Sequence, residues 1–274
     1  MTVLTVPAKP GQDAGAGRRT VPWQRMLWVT WRQHRATFIS VPAVLAAAAI
    51  PLVIFGLKAH HDYTALVNCP LDPGKQSGTC TQLMTNFNST VWPLANILSL
   101  LMGLAPVLLG AFAGAPLLAR ELETGTFRYA WTQGFGRVRW TIAKLTVLGS
   151  VLTLAAFVIS QEFTWFFAPF LSRPTLNVLT PAVFDTRGLT YAAWTLTGFC
   201  LGVFLGTLLR RVLPAMAATL GGYVVLAGVT LLYLHYHYPV GTFWPMQVFE
   251  AGWLLVLSAL LIAGTLRLVR RQAA

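Results

Sequence analysis

The side chains in this sequence best suited to binding a metal ion are His235, His237 and Glu250. Histidines two positions apart do not lie on one face of a helix, which disfavours a joint role as ligands. Together with Tyr236 and Tyr238 they better fit an aromatic belt at a membrane surface. We therefore predict no metal site.

Enzyme signatures are absent from the sequence. It contains no G-x-x-x-x-G-K-[ST] phosphate loop, no H-E-x-x-H and no G-x-S-x-G. The chain is therefore predicted not to hydrolyse ATP by P-loop chemistry and to hold no cofactor. Any ATP and Mg²⁺ used with it would be bound by a separate ATPase.

Three polar side chains within apolar runs are candidates for a translocation path. Glu162 follows Gln161 near the outer end of one run, and an intramembrane carboxylate is a functional candidate by default. Its position equally fits the outer membrane surface. Asn96 and Ser99 lie in another run and face either a path or a neighbouring helix.

Cys69 and Cys80 lie in a polar segment between two apolar runs. Outside the cytoplasm a disulfide between them would persist, and closing so short a loop contributes on the order of 3 kcal/mol at most. Two free thiols are the alternative. Cys200 lies in an apolar run and is predicted to be a small packing residue.

The elements that position these residues are membrane-spanning helices. Of the 274 residues, 55% are hydrophobic and only 10% are charged, and several apolar runs approach the ~20 residues that a span requires. Helices satisfy their backbone polar groups within lipid, and the runs are too long for barrel strands. We predict an all-α membrane protein with six spans, at about 37–57, 91–118, 141–169, 189–209, 212–234 and 251–266.

The segment before the first predicted span has two parts. Residues 1–21 are rich in Pro and Gly and are predicted to be a disordered cytoplasmic tail. In residues 22–36, apolar and aromatic side chains recur on one helical face, which predicts an interfacial amphipathic helix. A simple basic flank to the first span is the alternative. The transmembrane domain then covers residues 37–274.

Basic residues predict the orientation. The net charge is +12, but the cations cluster at the ends of apolar runs, which indicates membrane topology and not nucleic-acid binding. With the N-terminus inside, the inner segments hold sixteen Lys and Arg and the outer segments hold four. Both termini are therefore predicted to be cytoplasmic.

Two apolar runs carry glycines four residues apart. Gly110 and Gly114 lie in the second predicted span, and Gly198, Gly202 and Gly206 lie in the fourth. This spacing lets helices approach closely. The pattern fits packing within one chain or contact between two subunits.

The most densely charged insert between apolar runs is 119–144, ARELETGTFRYAWTQGFGRVRWTIAK. Its first residues read as the end of a helix leaving the membrane, with Gly125 as the predicted stop. The order is Glu121-x-Glu123-x-Gly125-Thr126, followed after ten residues by Arg137 and then by Lys144. An ordinary cytoplasmic loop whose arginines set topology is the alternative interpretation.

This order of residues resembles the cytoplasmic coupling segment of type-2 ABC exporter permeases. Members of that family often have a proline before the arginine, and residues 127–136 contain none. The amphipathic start, the six spans and the segment 235–250, which resembles the broken outer hairpin before the last span, extend the likeness over nearly the whole chain. We expect the coupling segment at 119–140.

The resemblance implies the membrane subunit of an ATP-driven exporter in a bacterial plasma membrane. A P-loop ATPase subunit and a second permease subunit, identical or homologous, are the implied partners. The residues expected to face the ATPase are Glu121, Glu123, Thr124, Gly125, Thr126 and Arg128. A non-transporting membrane sensor and an intramembrane enzyme are the alternative functions, and the substrate is not predicted.

Overall fold

The computed structural model describes residues 28, 32, 35–67, 69, 78–125, 137–171, 181–237 and 243–271. Every regular element in these ranges is helical. The elements are α1 (Arg35–Leu66), α2 (Gly78–Leu109), a π-helical segment (Gly110–Gly114), α3 (Ala115–Thr124), α4 (Arg137–Leu171), α5 (Pro181–Phe184), α6 (Gly188–Leu209), α7 (Val212–His237) and α8 (Phe243–Arg271).

Five helical stretches of the described residues are long and apolar enough to cross a membrane. They are Pro93–Thr124, Val138–Pro169, Gly188–Leu209, Val212–Tyr233 and Phe243–Arg271. The prediction of a helical, multi-pass membrane protein is therefore confirmed. Helix α1, which contains the predicted first span, is not among the five, and the count of six stays a prediction.

Helix α6 is the centre of the bundle. Its apolar window is 67% buried inside the protein, against 22% for the windows of α7 and α8. It packs against α2, the π segment, α3, α4, α7 and α8. Because α6 has neighbours on all sides, its side chains are small or apolar around the whole circumference.

The glycines of the second and fourth predicted spans form one close contact, which we call the glycine seam. It consists of Gly110 and Gly114 against Gly198, Gly202 and Gly206, together with Ala115. A Cβ on Gly198 would lie 2.7 Å from the carbonyl oxygen of Pro106, and one on Gly114 would lie 2.5 Å from that of Phe199. The in-chain interpretation of the spacing is confirmed.

The π-helical segment lies within this seam. It interrupts an otherwise continuous helix from Gly78 to Thr124, and Gly110, Ala111 and Gly114 are buried in it. A π-bulge widens one turn and shifts the faces of the helix on either side of it. Here both sides of the bulge keep contact with α6.

We call the two ends of the bundle outer and inner, as the distribution of basic residues predicts them. At the predicted outer end, α1 and α2 are joined by a disulfide between Cys69 and Cys80, whose Cα atoms are 5.7 Å apart. Helix α1 continues to Leu66, nine residues beyond the predicted end of the first span at 57. On its outer half, His60 stacks on Trp165 of α4 with ring centroids 4.8 Å apart. Cys200 is a buried free thiol, as predicted.

The last helix differs from the prediction of a hairpin broken through residue 250. Helix α8 begins at Phe243, so residues 243–250 belong to the same helix as the sixth predicted span. Pro245 lies in the first turn, where a backbone N–H has no helical partner and proline is tolerated. Residues 238–242 lie outside the described part.

Two N-terminal predictions fall largely outside the described residues. The tail 1–21 is wholly outside them. Of the interfacial helix 22–36, Trp28, Arg32, Arg35 and Ala36 are described, and all are helical. The Arg32 guanidinium lies 5.4 Å from the Trp28 ring centroid, as the i, i+4 spacing of a helix allows.

We expect Gly198→Ala to destabilise the bundle by about 1–3 kcal/mol, because the added methyl group overpacks the glycine seam. Thermal unfolding of the purified protein in detergent measures the effect. Gly228→Ala in α7 is the matched control, since a Cβ there would meet nothing within 4 Å. Equal unfolding temperatures for the two variants would show that the seam does not constrain the bundle.

Candidate functional site

The outer end of the bundle holds a buried polar cluster where α5, α6 and α8 meet. Gln247 is at its centre and is fully buried. Its Nε2 donates to the carbonyl oxygens of Phe184 at 3.0 Å and Arg187 at 3.1 Å, and its Oε1 accepts from the backbone N–H of Thr190 at 3.0 Å. These three bonds fasten α8 to the turn that precedes α6.

Gly188 makes this attachment possible. Its φ is +64°, a left-handed conformation that side chains with a Cβ rarely adopt. A Cβ at this position would lie 2.9 Å from Oε1 of Gln247. Glycine therefore permits both the turn into α6 and the close approach of the Gln247 amide.

One turn along α8, Glu250 is also fully buried. Its Oε1 accepts a hydrogen bond from the indole Nε1–H of Trp194 at 2.7 Å. Within the described part of the chain its Oε2 has no hydrogen-bond partner. The carboxylate thus fixes the Trp194 ring and retains one unsatisfied oxygen, which is costly in an apolar environment.

Beside this cluster is a cavity of about 310 Å³ between α2, α6 and α7 and the turn after α5, which we call the outer cavity. Its walls are mostly apolar and aromatic, with a few polar side chains. The polar and aromatic side chains in the lining include Asn96, Ser99, Asp185, Tyr191, Trp194 and Tyr223.

Two of the three predicted pathway residues line the outer cavity. Asn96 and Ser99 are one turn apart on α2, and the Ser99 hydroxyl donates to the carbonyl oxygen of Ala95 at 2.8 Å. Glu162 is not in the cavity wall. It is half-buried on α4, and its Oε2 has no hydrogen-bond partner among the residues that the structure describes.

Asp185 supplies the carboxylate of the outer cavity. Its Oδ1 is buried and has no hydrogen-bond partner in the described ranges. Burial raises the pKa of Asp185 well above its ordinary value, and the nearby charge of Glu250 raises it further. The site therefore disfavours the ionised form of this side chain unless a cation compensates it.

Arg187 is two residues further along the same turn, and its side chain lies against Phe243. Its guanidinium lies 5.1 Å from the ring centroid of Phe243, and Nε and Nη1 have no hydrogen-bond partner among described atoms. Burial lowers the pKa of this guanidinium from its ordinary value. It is absent from the residues that line the outer cavity.

The inner end of the bundle carries the acidic residues expected to face an ATPase, and both have partners within the chain. Glu121 forms an ion pair with Lys144 of α4, whose side chain is almost fully buried and lies 4.7 Å from the Trp140 ring centroid. Oε2 of Glu123 accepts from the backbone N–H of Val212 at 3.0 Å.

Gly125 ends α3 in a left-handed conformation with φ +70°, which confirms the predicted helix stop. The Thr124 hydroxyl donates to the carbonyl oxygen of Arg120 at 2.8 Å. Thr126 and Arg128 lie outside the described residues, as does the rest of the coupling segment through 136. The ion pair and the left-handed Gly125 thus fix the position and the end of α3.

Sequence reasoning missed most of the outer cluster. Local sequence patterns single out none of Asp185, Arg187 and Gln247, and they suggest Glu250 only as a metal ligand beside two histidines. The side chains of His235 and His237 are outside the described part. The signal that the sequence carries is a Gln and a Glu three residues apart at the start of an apolar run.

We expect Asp185→Asn to make stability less dependent on pH. Because the folded pKa of Asp185 is raised, the contribution of this side chain to stability is greatest at low pH and is lost as pH rises through that pKa. At pH 8 the amide variant should therefore unfold at the same temperature as wild type or higher. Thermal unfolding between pH 5 and pH 8 tests this, with Asp62→Asn as the control. A pH slope for Asp185→Asn as steep as that of wild type would contradict the argument.

Comparison with known proteins places the chain in a family. The family model described as ABC-2 membrane transporter related matches residues 42–235, more than half of the chain. No curated protein and no solved structure matches it. The matched range includes the glycine seam, the outer cavity and the inner ion pair. The chain therefore belongs to the ABC-2 membrane transporter related family, as a permease-type membrane component.

Proposed function

We propose that this chain is the membrane subunit of an ATP-driven exporter that couples to a separate P-loop ATPase. Family membership supports a permease and, in general, an ABC ATPase partner. The proposals of export and of a coupling route go beyond what family membership supports. They are based on the arrangement of one helical stretch, Pro93–Thr124.

The observation that carries the proposal is that this stretch reaches both candidate regions. Asn96 and Ser99 near its outer end line the outer cavity. Glu121 and Glu123 at its inner end bind α4 and the start of α7. A displacement of the inner end by an ATPase would be transmitted along a single helical path to the cavity.

The inner contacts suit this role because they join three elements. The Glu121–Lys144 pair links α3 to α4, and Glu123 caps the first turn of α7, where backbone N–H groups lack helical partners. A push on the coupling segment at 119–140 would then move these three helix ends together. Closure of an ATPase dimer on ATP supplies such a push in this proposal.

For the membrane topology, we propose six spans with both termini in the cytoplasm of a bacterial cell. Helix α1 has 32 residues, more than the ~20 that a span requires, and would be the first span. The sixteen-to-four distribution of basic residues supports the orientation. It would put Gly125 and Lys144 on the ATPase side and the Cys69–Cys80 disulfide on the oxidising side. A second permease subunit, identical or homologous, completes the proposed assembly.

The first test is mild detergent extraction of the tagged full chain from its native host, followed by mass spectrometry. We expect a P-loop ATPase subunit to accompany it in near-stoichiometric amount. A tagged, unrelated multi-pass protein from the same membrane is the control for carry-over. Repeated preparations without any ATPase, under progressively milder extraction, would favour the sensor or enzyme alternatives.

The second test concerns the cap at Gly125. Proline fixes φ near −65° and cannot adopt the observed +70°, so Gly125→Pro should distort the exit of the coupling segment. We expect at least a tenfold loss of transport-linked ATPase stimulation, with membrane insertion and ATPase association retained. Reconstituted complexes provide the measurement.

The matched variant is Gly125→Asn, because asparagine tolerates the left-handed conformation better than other residues with a Cβ. It should keep most of the coupling. Comparing the proline and asparagine variants separates the effect of a changed backbone conformation at residue 125 from the effect of replacing the glycine. Full coupling in the proline variant would contradict a role of this cap in transmission.

A further inference from the structure

We propose that the outer cavity binds a hydrophobic organic cation, such as a substituted ammonium with an aromatic or aliphatic group. The inference that such a cation is exported rests on the function proposed above. The inference that it binds depends only on the cavity and is tested separately.

The walls of the outer cavity suit a cation with apolar substituents. Tyr191, Trp194 and Tyr223 line it, and the rings of Trp194 and Tyr223 are 5.2 Å apart between centroids and inclined at 58°. The faces of aromatic rings carry negative partial charge and attract ammonium groups, most strongly where water is excluded. Leu100, Leu104 and Ala227 supply apolar surface for the substituents.

The charge of the outer cavity also fits a cation. Asp185 is the acidic residue in its wall, and its Oδ1 is buried without a hydrogen-bond partner among the described residues. The Arg187 side chain, two residues away, lies against Phe243 and does not line the cavity. A bound cation would supply the compensating charge that this carboxylate lacks.

The hydrogen bond between Trp194 and Glu250 strengthens the preference of the outer cavity for a cation. An indole N–H that donates to a carboxylate becomes richer in electrons, so the ring face attracts a cation more strongly. The same bond fixes the ring, because the Glu250 oxygen lies 2.7 Å from Nε1. Glu250 therefore acts through Trp194, as a positioning residue, and does not itself line the cavity.

The dimensions limit the size of the ligand. A cavity of about 310 Å³ is at the lower end of the range for small-molecule sites. It accommodates one ring and a substituted ammonium group. Asn96 and Ser99 place two further polar side chains in the α2 wall.

The experiment compares two probes of the same shape and opposite charge. Benzyltrimethylammonium is the cation and benzylsulfonate is the anion, both soluble enough for isothermal titration calorimetry. The full chain, with its ATPase subunit where the two co-purify, is reconstituted in lipid nanodiscs of uncharged lipid. Uncharged lipid removes the attraction of the cation to the membrane surface.

We expect wild type to bind the cation at least about tenfold more tightly than the anion. Asp185→Asn should weaken cation binding about tenfold and leave the anion unchanged or slightly improved. Asp62→Asn is the matched control, since it removes an acid of α1 that does not line the cavity. It should leave both affinities unchanged.

A second pair of variants tests the aromatic wall. Tyr223→Phe keeps the ring and should retain cation binding within about twofold, whereas Tyr223→Leu should weaken it by about fivefold or more. Each variant is first required to elute as a single species and to unfold cooperatively, so that loss of fold is not read as loss of binding. Equal affinity of wild type for the two probes, or an unchanged preference in Asp185→Asn, would overturn the proposal.

The experiments distinguish failure of the cation site from failure of the proposed exporter function. Cation binding without any associated ATPase would support the cavity and contradict the exporter. A stable, coupled ATPase complex that does not discriminate between the probes would contradict the cation site alone. Stimulation of that complex by benzyltrimethylammonium, lost in Asp185→Asn, would support both.

Discussion

The arrangement of this protein depends on the backbone contact between the second and fourth predicted spans. At Gly198 and Gly114 a single added carbon would lie within 2.7 Å of a carbonyl oxygen on the facing helix. Lipid provides no hydrophobic force between helices, so close packing of small residues is the main source of their association. The glycine seam thus sets the distance between α6 and the helical stretch that contains α2 and α3.

Two consequences follow from this distance. The α2–α3 helix is held along its middle, so its inner and outer ends are positioned relative to α6 and not independently. The α-helical parts on both sides of the π-helical turn at Gly110–Gly114 pack against α6. The Glu121–Lys144 pair and the outer cavity are therefore parts of one packed unit.

Much of this arrangement was predictable, and the limits have a physical cause. Apolar run length predicts membrane helices, and glycines at intervals of four predict close packing, because both patterns are local and periodic. Gly125 was predictable as a stop since glycine alone adopts its φ readily.

The bonds from Gln247 to Thr190 and Phe184 span 57 and 63 positions, and no local pattern encodes which distant backbone groups one amide will reach. The extension of α8 to Phe243 is not predicted by the sequence, because Pro245 fits a break in the helix as well as a first helical turn, where proline is tolerated.

Several charged side chains at the outer end keep buried polar atoms that have no hydrogen-bond partner in the described part of the chain. The hydroxyls of Thr197 and Thr207, within α6, each donate to the carbonyl four residues earlier on the same helix. Around the outer cavity, by contrast, Asp185, Arg187 and Glu250 each keep a buried polar atom without a described partner. Leaving a charged group in this state costs free energy, and a sequence selected for stability alone would replace it. Of the three side chains, Asp185 lines the outer cavity, where its Oδ1 can be reached by a ligand.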